Sequence, residues 1–291
     1  MPETAFTRAW NIRHPIASAP MGHVSGGALA AAVSGAGGLG FIGVAVEGRG
    51  EILREAAIPR ARGLPFGVGL VGWIADARPE IFEAVLEAEP FAVSLSFTDP
   101  APYAARVRHA GARLVVQVQD RPGAERALEA GADVLVIQGA DAGGHARAHV
   151  GTLPLVQALL PLADSAGVPA LAAGGIGDGR ALAGVLAMGA AGAWIGTRFR
   201  ATREAGGSDD AKRRLVEAGE DETEQSVGWD VAQGVPWPEH FPGRALRTAD
   251  FAEPAVWASA AVGVIEDLPP AGEVVERLAA EADERLASFG A

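Results

Sequence analysis

The residues best suited to chemistry lie in four loops of small side chains, each following a short apolar run. The most informative is Gln138-Gly139-Ala140-Asp141-Ala142-Gly143-Gly144-His145. Its small residues allow a backbone to approach a flat ligand closely. Histidine is the side chain that, unperturbed, exchanges a proton near neutrality, so His145 is a candidate acid or base. A histidine in a glycine-rich loop is more often an exposed residue with no task, and this one gains weight from its neighbours. One neighbour is Ala172-Ala173-Gly174-Gly175-Ile176-Gly177-Asp178-Gly179, an apolar run that enters glycines and then a helical segment. Such a junction offers N–H groups and a helix dipole to a phosphate. The next is Trp194-Ile195-Gly196-Thr197. Either glycine element alone is equally a tight turn; in succession they match the loop pair that many barrels use for phosphate. In the fourth loop, Ala19-Pro20-Met21-Gly22-His23, Pro20 stiffens the chain. Met21 could rest its sulfur on an aromatic ring or simply fill the top of a barrel.

Positioning these loops requires a repeated scaffold, and the first two-thirds of the chain has one. Apolar, β-rich runs fall near 15–19, 39–43, 66–70, 91–96, 113–118, 134–138, 170–173 and 193–195, separated by Ala/Leu/Glu/Arg segments of helical periodicity. Spacing of roughly 25 residues suits a (β/α)8 TIM barrel, whose body takes about 200 to 250 residues. A doubly wound open sheet is the competitor; it would carry a dinucleotide fingerprint after its first strand, and none is present. Segments 121–130 and 178–188 predict outer-ring helices ended by Gly131 and Gly189 in left-handed caps. Beyond Thr197 the texture changes. A charged stretch at 204–224 predicts helix, and 227–247 carries Trp229, Trp237, Pro236, Pro238 and Pro242 with little periodicity. The organisation expected is therefore a barrel over 1–204, a small cap or lid subdomain over 205–265, and a C-terminal helix over 266–291 that packs back on the barrel.

Composition narrows the function classes. With no cysteine among 291 residues, disulfides, thiolate nucleophiles and sulfur-ligated metals are excluded. No carboxylate or histidine spacing suggests any other metal site. A formal charge of -12 with few aromatics argues against nucleic acid and anionic membranes as partners. The longest apolar runs are far shorter than a membrane span, and the first residues lack a signal-peptide pattern, so a soluble cytoplasmic protein is expected. Oligomeric state stays open, with a homo-oligomer among the options.

Taken together, Ala19-Pro20-Met21, Ala32-Val33-Ser34-Gly35-Ala36-Gly37-Gly38-Leu39-Gly40, the 138–145 and 172–179 loops, Gly196-Thr197 and Leu268-Pro269-Pro270-Ala271-Gly272-Glu273 resemble the nitronate monooxygenase family, formerly the 2-nitropropane dioxygenases. The resemblance runs over nearly the whole chain, and flavin-type enoyl-acyl-carrier-protein reductases share the Ala-Gly-Gly-His element. It implies an oxidoreductase with noncovalent FMN at the barrel mouth, its phosphate on Gly174, Gly175, Gly196 and Thr197. Gln138, Gly143 and Gly144 would lie on the ribityl and ring side, and Ala19, Pro20, Met21 and Gly22 along the isoalloxazine. His145 matches the catalytic histidine, which removes the α-proton of a nitroalkane or orients a nitronate before electrons pass to flavin and O2. The same resemblance admits an NAD(P)H-dependent reductase acting on a quinone or an enoyl thioester. A barrel binding a phosphorylated metabolite without redox chemistry is the reading from a different class. Three departures stand out: Asp141 where the family has Glu, Ala146-Arg147 where it has Arg-Gly, and Gly69 where its third strand presents Asn to FMN. One flavin hydrogen bond is then either missing or supplied from elsewhere, with Gln117 or Gln119 across the barrel as the candidate donor.

Overall fold

A parallel strand covered on both faces needs a continuous apolar run, and eight of the runs in this chain form such strands. The computed structural model describes residues 1–45, 47–147 and 149–288. The barrel strands are β1 (Ile16–Ser18), β2 (Gly40–Val44), β3 (Phe66–Val71), β4 (Ala92–Ser96), β5 (Arg113–Val118), β6 (Val134–Gln138), β8 (Ala170–Ala173) and β9 (Gly192–Ile195). A second sheet holds β7 (Gly144–His145), β10 (Thr223–Ser226) and β11 (Gly243–Leu246). The large sheet runs β1-β9-β8-β6-β5-β4-β3-β2 with every pair parallel. Leu39 closes the circle by bridging Ala17: its N–H donates to Ile16 O at 2.9 Å and its carbonyl accepts from Ser18 N–H at 3.0 Å. The fold is thus the expected (β/α)8 barrel. Gly131 and Gly189 take φ of +78° and +102°, the left-handed turn-backs anticipated after their helices.

Packing leaves only one end of the barrel open to chemistry. The interior is filled by side chains such as Phe41, Val136, Leu171 and Trp194, with Phe41 and Trp194 rings 4.5 Å apart. The N-terminal helix Ala5–Trp10 adds Phe6 and Trp10 to that same cluster. Trp10 meets Phe91, just before β4, at 5.5 Å, and Thr4 Oγ1 donates to Ala191 O, just before β9, at 2.7 Å. The helix therefore plugs the amino-terminal mouth. Chemistry is left to the carboxyl-terminal mouth, as in barrels generally.

The region after β9 differs from its sequence-based expectation. A four-residue helix, Thr197–Arg200, follows β9; the charged helix spans only Asp209–Glu217, and the chain then forms β10, the helix Gly228–Gln233 and β11. Strand β11 lies antiparallel to both β10 and β7, so this small sheet recruits two residues of the loop after β6. Thr223-Glu224-Gln225-Ser226 shows no apolar alternation, which is why its sequence does not announce a strand; pairing with β11 decides it. A separate core of Ala201, Leu215, Leu246, Val256, Ala258, Val262 and Ile265 supports this cap.

The C-terminal helix Ala271–Ser288 buries Ala271, Val274, Val275, Leu278, Ala279 and Ala282, one helical stripe, against the helices Gly179–Ala187 and Gly27–Gly35. Residues 289–291 of the predicted closing segment lie outside the described residues. Asp267 latches this end of the chain: it accepts from buried Arg198 Nη1 at 3.0 Å and from Arg277 Nη1 and Nη2 at 2.7 and 3.0 Å. Hydrogen bonds from Arg277, with Arg198 and Arg277 as nearby cations, hold the Asp267 carboxyl below its ordinary range. Among the described residues, no helix is long and apolar enough to cross a membrane.

Candidate active site

At the carboxyl-terminal mouth, the loops after β8 and β9 stand side by side because those strands are neighbours. Gly174 and Gly175 turn the chain with φ of +104° and +71°, which an L side chain rarely adopts. A Cβ on Gly174 would lie 2.7 Å from both Ala142 N and Thr152 Oγ1. Among the described residues, no protein acceptor takes the backbone N–H groups of Gly175, Gly196 or Thr197. Free N–H donors on adjacent loops make a backbone cradle of the kind that can take an anion such as a phosphate, and Gly196-Thr197 opens a short helix like the one many barrels use there. The start of the helix Gly179–Ala187 is not part of it, contrary to the sequence argument from a helix dipole. Asp178 Oδ1 accepts from Ala181 N–H at 2.8 Å and Glu281 Oε2 from Gly179 N–H at 2.9 Å, so two carboxylates already occupy that terminus.

The loop after β1 borders the same space. Ala19 N–H donates to Ile195 O at 2.8 Å, and Met21 Sδ lies 3.6 Å from where a Cβ on Gly196 would stand. A Cβ on Gly22 would meet Ala45 Cβ at 2.9 Å. Buried Glu47 secures the loop, its Oε1 3.1 Å from His23 Nδ1 and 3.2 Å from His23 N. The Gly69 departure also has a structural account: a Cβ there would lie 2.2 Å from Pro20 Cγ, so the Pro20 ring fills the space a longer side chain would need. Gln117 Nε2 and Gln119 Nε2 both donate to Gln138 Oε1, at 3.0 and 2.7 Å. They brace Gln138, whose own Nε2 is left as its donor.

The loop from 139 to 145 binds the cap rather than standing open. A Cβ on Gly143 would lie 2.7 Å from Ala258 C and Ser259 N, so its smallness admits the cap's own backbone. Gly144, at φ +72°, meets nothing within 4 Å on that side. Asp141 Oδ2 accepts from Thr152 N–H at 2.6 Å, and Asp141 O from Ala260 N–H at 2.9 Å. Thr197 Oγ1 accepts from Ser259 N–H at 2.9 Å, and Arg244 Nε donates to Ala140 O at 3.1 Å. Arg200, which burial pushes down to about 10 and which is thus still a cation near neutrality, donates from Nη1 to Trp257 O at 3.1 Å. Arg147 pairs with Asp120 at 2.7 Å on the rim.

His145 sits in β7 opposite Gly243, with its side chain 10% exposed. Nε2 lies 3.0 and 3.1 Å from the Asp230 carboxylate oxygens, and Trp237 stacks on the ring at 3.6 Å and 7°. Trp257 approaches at 5.0 Å. Trp237 in turn contacts Trp73 at 5.3 Å and Phe97 at 5.0 Å, making an aromatic wall over the mouth. Phe97 takes φ +59°, a strained setting for a bulky residue and one that turns up at functional sites. The Trp73 indole N–H is buried without a hydrogen-bond partner among the described residues. Asp230, Trp237, Trp257, Trp73 and Phe97 are absent from the sequence candidates. Trp-rich, proline-punctuated composition marked the segment, but nothing in it pointed toward His145, 85 residues before Asp230.

The nitronate monooxygenase family model matches residues 3–83 and 72–228. A Mycobacterium tuberculosis protein named as a 5-hydroxy-7a-methyl-1-oxo-octahydro-1H-indene-4-carboxyl-CoA dehydrogenase is 34% identical over 84% of this chain, and the chain spans just under two thirds, 66%, of that protein. Among solved structures, FabK from Thermotoga maritima superposes with a TM-score of 0.88 at 25% identity over 99% of both chains. Nitroalkane oxidase from Streptomyces ansochromogenes gives 0.82 at 28% identity, covering 98% of this chain and all (100%) of that one.

Proposed function

The chain belongs to the nitronate monooxygenase family, and we propose that it is an FMN-dependent oxidoreductase that oxidises alkyl nitronates or nitroalkanes with O2. The observation that carries the reading is a part-buried, carboxylate-paired histidine facing the same mouth as a backbone cradle of free N–H groups. Gly174, Gly175, Gly196 and Thr197 would hold the phosphate; Gln138 and the loop from Ala19 to Gly22 would border the ring system. Bound there, a flavin supplies the two-electron acceptor that couples substrate oxidation to O2. A single phosphate cradle, with no second glycine fingerprint for a pyrophosphate, favours FMN over FAD.

His145 takes the α-proton of a nitroalkane, or, as the imidazolium, donates a hydrogen bond to a nitronate that has already lost it. The aromatic wall of Trp237, Trp73 and Phe97 excludes water from that exchange, which strengthens the electrostatic contacts within. Extracting the cofactor and mixing the enzyme anaerobically with either a nitronate or NADH tests both halves of the proposal. FMN that is bleached by nitronate and reoxidised by O2 is the expected result; FAD, or no flavin, would overturn the cofactor assignment.

A second reading, an NAD(P)H-dependent reductase acting on a quinone or an enoyl thioester, draws on the carboxyl-CoA substrate in the Mycobacterium tuberculosis relative's name. Rapid bleaching by NADH and none by nitronate would decide for it.

A further inference from the structure

We propose that Asp230 locks His145 as the Nε2–H tautomer, so that Nδ1 is the atom that receives the substrate proton. The proposal deepens, and rests on, the reading of His145 as a base. Both Asp230 oxygens face Nε2, at 3.0 and 3.1 Å, and the two side chains are 10% and 9% exposed. An ionised carboxylate only accepts hydrogen bonds, so the nitrogen against it carries the hydrogen. A neutral imidazole has one N–H, which leaves the Nδ1 lone pair free. Among the described residues Nδ1 has no hydrogen-bond partner.

The ring cannot readily exchange its nitrogens. Flipping it would set a carbon against Asp230 and forfeit the charge-assisted bond. Trp237 lies flat on one face at 3.6 Å, and the backbone is held by pairing of His145 with Gly243 and by Ala146 N–H donating to Pro242 O at 3.3 Å. When a nitroalkane reacts, its Cα–H bond breaks, the proton goes to Nδ1, and the electron pair forms the C=N bond of the nitronate, with the charge on the nitro oxygens. The imidazolium so formed keeps its Nε2–H on Asp230, which stabilises it as an oriented acid–base pair does. Asp230 belongs to the cap helix Gly228–Gln233, so the base is complete only with the cap docked. Asp230 is thus a positioning residue that acts through His145.

Nitrogen-15 NMR of the imidazoles, with His145 assigned by its loss in His145→Ala, reads the tautomer without any substrate. The expected spectrum has a protonated, pyrrole-type Nε2 and a bare, pyridine-type Nδ1. Asp230→Asn, whose amide can donate to Nε2 instead, should shift the proton toward Nδ1 and lower kcat/KM on a neutral nitroalkane by about 10^2 to 10^4-fold. Preformed nitronate should lose less, and Asp230→Glu should recover part of the loss. A wild-type proton on Nδ1, or an Asp230→Asn spectrum identical to wild type, overturns the proposal. Nitrogen spectra as expected with no nitroalkane turnover support the tautomer assignment and sink the substrate reading alone.

Discussion

The two sides of the barrel mouth are built from different materials. The cradle side is backbone: Gly175, Gly196 and Thr197 offer N–H groups from two adjacent βα loops, within 23 residues of sequence. The histidine side is side chains: His145 comes from one loop, Asp230, Trp237 and Trp257 from the cap, Trp73 from the helix Gly72–Ala77 after β3, and Phe97 from the loop after β4. A backbone site is specified by local conformation and recognises a charge that many ligands share. A side-chain site needs distant segments to converge, and it determines which substrate is turned over.

Charge placed in the backbone cradle should have the largest effect. Gly175→Asp is expected to abolish flavin retention, since it sets a carboxylate against a phosphate in a site of free N–H donors. Gly175→Ala carries the strain of φ +71° without the charge and should keep more flavin. Flavin absorbance per folded protein makes the comparison, and near-stoichiometric flavin in Gly175→Asp would place the phosphate elsewhere.

On the other side, His145→Ala should leave flavin in place while nitroalkane kcat/KM falls ~10^2 to 10^4-fold, the usual span of a general base. Preformed nitronate should suffer less. Equal losses on the two forms would mean that His145 positions substrate rather than removing its proton. Weaker still, Trp237→Ala deletes the stacked partner at 3.6 Å, an aromatic contact worth ~0.5 to 1.5 kcal/mol, or about 2 to 10-fold in kcat/KM. Its flavin content should be unchanged; a variant that lost flavin would tie the two sides together.

Smallest for catalysis is Asp267→Asn, which touches neither side. It removes the carboxylate from buried Arg198 and should cost ~1 to 3 kcal/mol of stability near neutral pH, checked by denaturant melts. Because the folded Asp267 carboxyl sits below its ordinary value, its contribution is present above about pH 4 and fades as pH falls through the folded value. The gap between wild type and variant should therefore narrow in acid. A gap that held constant to low pH would show that the latch is not electrostatic.

How much of this was legible depended on whether the signal was local. All eight barrel strands lie at the predicted runs, because a strand buried on both faces must be apolar along its length. The left-handed glycines after the outer helices were equally readable, since only glycine adopts those angles without strain. The β10 strand was not, because Thr223-Glu224-Gln225-Ser226 becomes extended only through its partner β11. Nor was the role of Gly143, whose missing side chain makes room for Ala258 and Ser259 rather than for an open face.

The same division holds for the site. From the sequence alone came the barrel, the glycine cradle, and His145 as the residue to watch, since each rests on residue types within short contiguous stretches of chain. Sequence neighbours Gly143, Gly144 and Ala146 bring no charge near the imidazole. Only tertiary structure supplied one, by pairing β7 with β11 and carrying Asp230 to within 3.0 Å of Nε2. It likewise set Pro20 in the space above Gly69 and turned Gln117 and Gln119 toward Gln138. Hydrogen bonds and charge pairs act over a few ångströms, whereas the chain separating these partners runs from about 20 to more than 80 residues, so their convergence is a property of the fold.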